Sequence, residues 1–173
     1  QKNFNEIETK DLIKLLKNTK YKLQVPRSNV NDFEFGYDEK YAYDYGFVLG
    51  DGTCPKINNK YRTPFASVYE SNFSYEYPFV DGVIGKKLKE HYNGNETEYF
   101  NVTFNKLDKE LSYKLKYEDG LPSEIFNWSR KSILAFIAGW IDTDGTITGN
   151  NKVRIYGEEN KIRDLQLLLT KHF

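Results

Sequence analysis

Two stretches share one frame: GFVLGDGT, Gly46 to Thr53, and GWIDTDGT, Gly139 to Thr146. Gly46 aligns with Gly139, Asp51 with Asp144, Gly52 with Gly145 and Thr53 with Thr146. An Asp-Gly pair by itself marks a turn after a core element. Two pairs in register, each behind an apolar run, mark a doubled unit. KYAYDYGFVLGD (Lys40 to Asp51) and SRKSILAFIAGWIDTDG (starting near Ser129 or Ser132) each predict a short helix that is apolar almost all round, and therefore buried. Gly46 and Gly50 lie four apart, on one face. Glycine costs a helix about 1 kcal/mol relative to alanine, so two on one face imply that another backbone comes close there. Gly46 and Gly139 are accordingly read as helix-packing residues, and Gly52 as a stop.

Two such helices packed in parallel around a pseudo-twofold axis would bring their C-terminal ends together, with Asp51 and Asp144 side by side. Carboxylates that close repel unless a cation sits between them. Ligation by carboxylates and backbone carbonyls suits Mg²⁺ or Ca²⁺, and Gly50 and Thr143, next to the two aspartates, join that candidate metal set. A metal there would activate water and stabilise a leaving oxygen, as in phosphodiester hydrolysis. Asp142 belongs to the second stretch only, with Leu49 in the matching place, and is not taken as a metal ligand.

Around these helices the expected order is helix, strand, strand, helix, strand, strand, then helix, strand, strand, helix. FASVYES (Phe65 to Ser71) and EYFNVTFNK (Glu98 to Lys106) alternate as strands. LSYKLKYE (Leu111 to Glu118) alternates too, placing Lys114 and Lys116 on one strand face. DGVIGKKLKEHYNG is read as a short amphipathic helix ending near Gly94, and DGLPSE as a turn. TITGNNKVRIYG predicts a hairpin, and EENKIRDLQLLLTKHF a helix with Ile162, Leu165, Leu168 and Leu169 inward. Ahead of all this, IETKDLIKLLKNTKY predicts a helix with Thr9 as N-cap and Ile7, Leu12, Leu15 and Leu16 on one face, followed by an extended or looped stretch. The resulting division is a lead-in over residues 1–40, a first repeat over 41–128 and a partial second repeat over 129–173. That second copy lacks its last two strands, which leaves an open sheet edge ready to pair.

With 39% hydrophobic and 16% aromatic residues the chain has the material for a core, which excludes global disorder. The formal net charge is zero, with no basic or acidic tail, so a nucleic-acid-binding face requires the fold to segregate charge. Cys54 is the sole cysteine, which rules out an internal disulfide and fits a reducing, cytoplasmic setting. It is read as packing, since no histidine lies near it. No stretch approaches the roughly 20 apolar residues of a membrane span. The chain has no methionine and begins at Gln1, which points to a piece of a longer polypeptide. His91 and His172 lack metal-ligand spacing and are read as surface residues. The tyrosines of YAYDYG are read as core packing with polar tips rather than as a stacking platform.

YGFVLGDGT and AFIAGWIDTDGT resemble the paired motif of the LAGLIDADG (dodecapeptide) homing endonucleases, and LPSEIFNWSRKSILAFIAGWIDTDG is similar to the entry to that family's second motif. The segment TKDLIKLLKNTKYKLQVPRSN is similar to what precedes the nuclease in intein-borne members. The resemblance implies an α+β fold of αββαββ repeats, one complete and one partial, around a two-helix pseudo-twofold seam. It also implies a site-specific double-strand DNA endonuclease, intein-associated or intein-derived, that requires Mg²⁺, with Ca²⁺ or Mn²⁺ as substitutes. Asp51 and Asp144 carry over as its catalytic pair. Family members place a basic residue near the metals, a role open here to Lys114 or Lys116. Lys56, Arg62, Lys106, Lys114, Lys116, Lys152 and Arg154 are candidates for phosphate contact, and Asn101, Thr103 and Asn105 for base edges. For each of these the bland reading is a solvated side chain on a sheet face. The expected partners are double-stranded DNA, a host protein, and a second chain supplying the missing half of repeat two. The rival readings are a DNA-binding module that does not cut, and a split or degenerate nuclease half.

Overall fold

In the computed structural model, which describes residues 6–8, 37–69, 82–92, 95–148 and 152–173, the elements run β1 (Glu6–Glu8), α1 (Tyr37–Asp51), β2 (Gly52–Thr53), β3 (Lys56–Ile57), β4 (Lys60–Tyr61), β5 (Phe65–Tyr69), β6 (Gly82–Tyr92), β7 (Asn95–Phe104), α2 (Lys109–Tyr117), a 3-10 turn (Ile125–Asn127), α3 (Arg130–Asp144), β8 (Gly145–Thr148), β9 (Lys152–Ile155) and α4 (Glu159–His172). This is a mixed α+β architecture in which every strand pairing is antiparallel.

Helices α1 and α3 form the centre, and they meet backbone to backbone. A Cβ built at Gly46 would collide with the carbonyl oxygen of Phe136 and lie 2.9 Å from Trp140 N. One built at Gly139 would collide with the carbonyl oxygen of Tyr43 and lie 2.8 Å from Phe47 N. The contacts are reciprocal: Phe136 and Trp140 follow Tyr43 and Phe47 by the same interval that separates Gly46 from Gly139. A Cβ at Gly50 would likewise meet the side chain of Thr143, at that same interval, so both helices run in the same direction. Nearly everything on them is buried, from Ala42 through Leu49 and from Ile133 through Ile141, as all-round apolar sequence requires. Helix α3 starts at an N-cap, the Ser129 side chain accepting from Ser132 N at 3.1 Å.

A four-stranded sheet, in the order β2-β5-β7-β6, covers one side through Ala66, Val68, Val102 and Phe104. Strand β7 alternates as expected, with Val102 and Phe104 buried and Asn101, Thr103 and Asn105 more accessible. On the other side β8 and β9 form a hairpin that buries Val153 and Ile155, and α4 turns Ile162, Leu165 and Leu168 inward.

Three expectations are corrected. The stretch read as a helix around Gly82 to Tyr92 is strand β6, paired with β7 down to Tyr92↔Asn95. Asn93 and Gly94, near which that helix was expected to end, lie outside the described residues. The stretch read as a strand from Leu111 to Glu118 is helical through Tyr117, as part of α2, with Glu118 as its C-cap. Asp108 caps it, its side chain accepting from Leu111 N at 2.7 Å, and Leu111 and Leu115 form the inward ridge. Ile7, assigned to a lead-in helix, sits in strand β1, opposite Val153 of β9. The rest of that expected helix, and the stretch that follows it, lie outside the described residues. The open edge expected of the hairpin is thus occupied over three residues, in the order β1-β9-β8, where β1 stands beside β9 as β7 stands beside β5.

Gly46→Ala and Gly139→Ala are each expected to destabilise the fold by about 3 kcal/mol, because the added methyl meets backbone that cannot swing aside. Urea unfolding checks this. A loss under about 1 kcal/mol at both positions would refute the seam as described.

Candidate functional site

Asp51 and Asp144 are the last residues of α1 and α3, so the parallel seam delivers both carboxylates to one end of the helix pair. Asp144 leans across Gly50: a Cβ on Gly50 would lie 3.2 Å from Asp144 Oδ2 and would also run into the Thr143 side chain. Helix C-termini leave carbonyls without intrahelical donors. Here Lys116 serves two of them, its Nζ donating to Leu49 O at 2.9 Å and also to Gly50 O.

The electrostatics follow from this crowding. Burial and the neighbouring Asp144 charge push the Asp51 carboxyl above its ordinary range, with Lys116 opposing. Burial raises Asp144, again with Lys116 opposing. Lys116 itself is lowered by its burial, while Asp144 and Asp51 pull it back toward the charged form. The structure therefore separates the two candidate lysines. Two residues apart on a helix, they point in different directions. Lys114 turns outward to an ion pair with Glu110 at 3.0 Å, and Lys116 turns in to the Leu49 and Gly50 carbonyls at the end of α1.

The oxygens gathered here are two carboxylates and the Gly50 carbonyl, a hard donor set that fits Mg²⁺ or Ca²⁺. The ammonium on Gly50 O marks this as a place that attracts a cation. Among the described residues no three His, Cys, Asp or Glu side chains converge to hold a metal, so carbonyls and water would have to complete the shell. The Thr143 hydroxyl is committed to its own helix, donating to Trp140 O at 3.0 Å and Gly139 O at 3.3 Å.

Asp142 faces the seam instead of the site. Tyr43 donates its hydroxyl to Asp142 Oδ2 at 2.8 Å across the two helices. Burial pushes Asp142 up to about 7, the Tyr43 hydrogen bond working the other way. Tyr45 is likewise packed with its hydroxyl engaged, accepting from Asp108 N at 2.8 Å. Cys54 is buried and its thiol is pushed up to about 12 by that burial, which suits packing. His172 is partly covered, its Nε2 lying 3.2 Å from Phe126 O.

The remaining candidates are spread over three sheets and the turns beside them. Asn101 and Thr103 lie opposite Ser67 and Phe65 on the accessible face of β7, and Ser67 Oγ donates to Asn101 Oδ1 at 3.0 Å. Lys56 lies over the Tyr61 and Tyr113 rings, 4.6 and 5.2 Å from their centroids. Arg62 and Lys106 are exposed. Lys152 and Arg154 take the face of β9 opposite Val153 and Ile155, in register with Glu8 and Glu6 of β1. Sequence reasoning missed the buried Asp44, the Tyr43–Asp142 link and the buried Lys161. Only Tyr43, three residues before Gly46, carried a signal of the second, as an aromatic with a polar tip on a buried helix.

No family model matches the chain, and no solved structure matches it. Over 138 residues, 79% of its length, the chain is 30% identical to the reverse gyrase of Methanocaldococcus jannaschii. That stretch amounts to 7% of the reverse gyrase. Among the described residues no helix is long and apolar enough to cross a membrane.

A carboxyl raised in the fold to about 7, against about 4 in an unfolded chain, contributes stability in full below about pH 4 and loses it as pH rises to about 7. Asp142→Asn keeps an acceptor for Tyr43 and removes the titration. Its urea midpoint is expected to fall less steeply than the parent's between pH 4 and 7, so that the variant is relatively more stable at pH 8. Parallel profiles would show that Asp142 does not titrate in this way.

Proposed function

We propose that the chain is a LAGLIDADG-type homing endonuclease that hydrolyses both strands of a DNA duplex at a specific site, with one aspartate from each half of the helix pair. The observation that carries this reading is the meeting of Asp51 and Asp144 at one end of a glycine-seamed parallel helix pair, with Lys116 reaching the same end. The reciprocal glycine contacts, and an antiparallel sheet following each helix, support a doubled α+β repeat with a pseudo-twofold seam.

In this reading Asp51, Asp144 and the Gly50 carbonyl hold a divalent ion. When bound, that ion supplies an activated water and charge stabilisation for the leaving oxygen. Lys116 sets positive charge beside the phosphate that would lie over the two carboxylates, where developing charge gains most from a preorganised partner. Asn101 and Thr103 on β7, and Lys152 and Arg154 on β9, supply groove and phosphate contacts. A match confined to 7% of a much longer reverse gyrase suits an element carried inside a host protein, in keeping with an intein-borne origin.

Cleavage of DNA carrying the uninterrupted host coding sequence is expected with Mg²⁺, to be lost with a chelator, and to return when Mg²⁺ is restored. Asp51→Asn and Asp144→Asn are each expected to reduce cutting by at least about a thousandfold, the order lost with a key electrostatic group, with DNA affinity changed by only a few-fold. If both variants still cut, the site is elsewhere. If the parent binds this DNA but never cuts it, the non-cleaving module replaces the nuclease.

A further inference from the structure

Lys161 is a charged residue that the proposed reaction leaves unused, yet it is 3% exposed. Its Nζ donates to Lys116 O at 3.0 Å and to Glu158 Oε2 at 2.7 Å. The neighbouring side chains of α4 grip the same segment. Asn160 Nδ2 donates to both carboxylate oxygens of Asp119 at 2.8 Å, and Asp164 Oδ2 accepts from Leu121 N at 2.7 Å. The first two turns of α4 therefore hold the backbone from Lys116 to Leu121.

Burying an ammonium costs several kcal/mol unless it is well paired, and carbonyls at a helix end can be served by water or neutral donors. A plain cap for α2 does not need a buried cation. The carbonyl that Lys161 takes, however, belongs to the residue whose side chain reaches the helix-end carbonyls beside the two carboxylates. A cation at the C-terminus of α2 is also favoured by the helix dipole. We propose that Lys161 is a positioning residue: through the Lys116 carbonyl it fixes the end of α2 so that the Lys116 ammonium stays on Leu49 O and Gly50 O beside Asp51 and Asp144. The proposal rests on the reading of those residues as the reaction site, and it makes α4 the element that aims a side chain of the other half.

The test uses the whole chain labelled with ¹⁵N. An ammonium held in hydrogen bonds gives a ¹H–¹⁵N correlation that a freely exchanging one loses, and Lys116→Met assigns the signal. The Lys116 correlation is expected to vanish or shift in Lys161→Met and to persist in Lys161→Arg. DNA cleavage by Lys161→Met is expected to fall by between about tenfold and a hundredfold, the range that a small misplacement produces, with DNA affinity nearly unchanged and with recovery in Lys161→Arg. In the Lys116→Met background, Lys161→Met should add almost nothing, because both changes act through one group. An unchanged Lys116 signal in a folded Lys161→Met variant overturns the proposal, as does a full additional loss of cleavage in the double variant. Should Lys161→Met not fold, Glu158→Gln alters an exposed carboxylate that holds the same ammonium. A shift of the Lys116 signal is then expected, and its absence overturns the proposal. A parent that cuts no DNA refutes the proposed function, while the ammonium spectrum still decides the positioning role.

Discussion

The close approach of two helix backbones is the constraint from which the other features follow. Gly46 against Phe136 and Gly139 against Tyr43 leave no room for a side chain at either crossing point. Because Gly50 meets Thr143 in the same frame, the helices run parallel and end together. Their last residues, Asp51 and Asp144, are forced into each other's field whatever else the protein does. The glycines are poor helix formers, and the helices persist because their remaining faces are apolar and covered. Packing on every side, by the β2-β5-β7-β6 sheet, the β8–β9 hairpin and α4, offsets a seam that intrinsic propensity would disfavour.

The end of the seam is electrostatically crowded. Carboxylates are partly desolvated near one another, and both are shifted toward their protonated forms. Lys116 partly relieves them, at the cost of its own desolvation. A site built this way is stabilised by any further positive charge that enters it, and it holds its oxygens in place beforehand. Clustered carboxylates with perturbed protonation at the end of a packed helix pair are what marks this place as a candidate functional site.

What the sequence disclosed and what it hid divide along physical lines. The seam was legible because glycine in a buried helix has few uses, and because the two copies share one frame. The aspartates followed from it. Lys116 was only half legible: Leu111, Tyr113 and Leu115 satisfy an alternating pattern, while Leu111 and Leu115 also satisfy a helical one. The deciding signal was Asp108 as an N-cap, a single side chain three residues ahead of Leu111. Strand β6 was hidden by a lysine-rich stretch whose only clear marker was Asn93-Gly94. Lys161 and β1 could not be read at all. Each acts on a residue far away in sequence, Lys116 in one case and Val153 in the other, and no local pattern encodes such a contact.

The two copies also differ in an instructive way. Tyr43 and Asp142 form a polar link across the seam, and the positions that match them are Phe136 and Leu49, both buried and apolar. A hydroxyl and a carboxylate stand on one side of the seam where two hydrocarbon groups stand on the other. A lone aspartate opposite phenylalanine would be an unsatisfied buried acid, and a lone tyrosine opposite leucine an unsatisfied buried hydroxyl, each costly. The pairing thus works as a unit across the seam, whereas the matched positions Asp51 and Asp144 carry the same residue. Asymmetry returns at the site through Lys116, which comes from α2 in one half and acts on both carboxylates. The helix pair is close to symmetric where packing governs it, and it departs from symmetry where a single cation serves two acids.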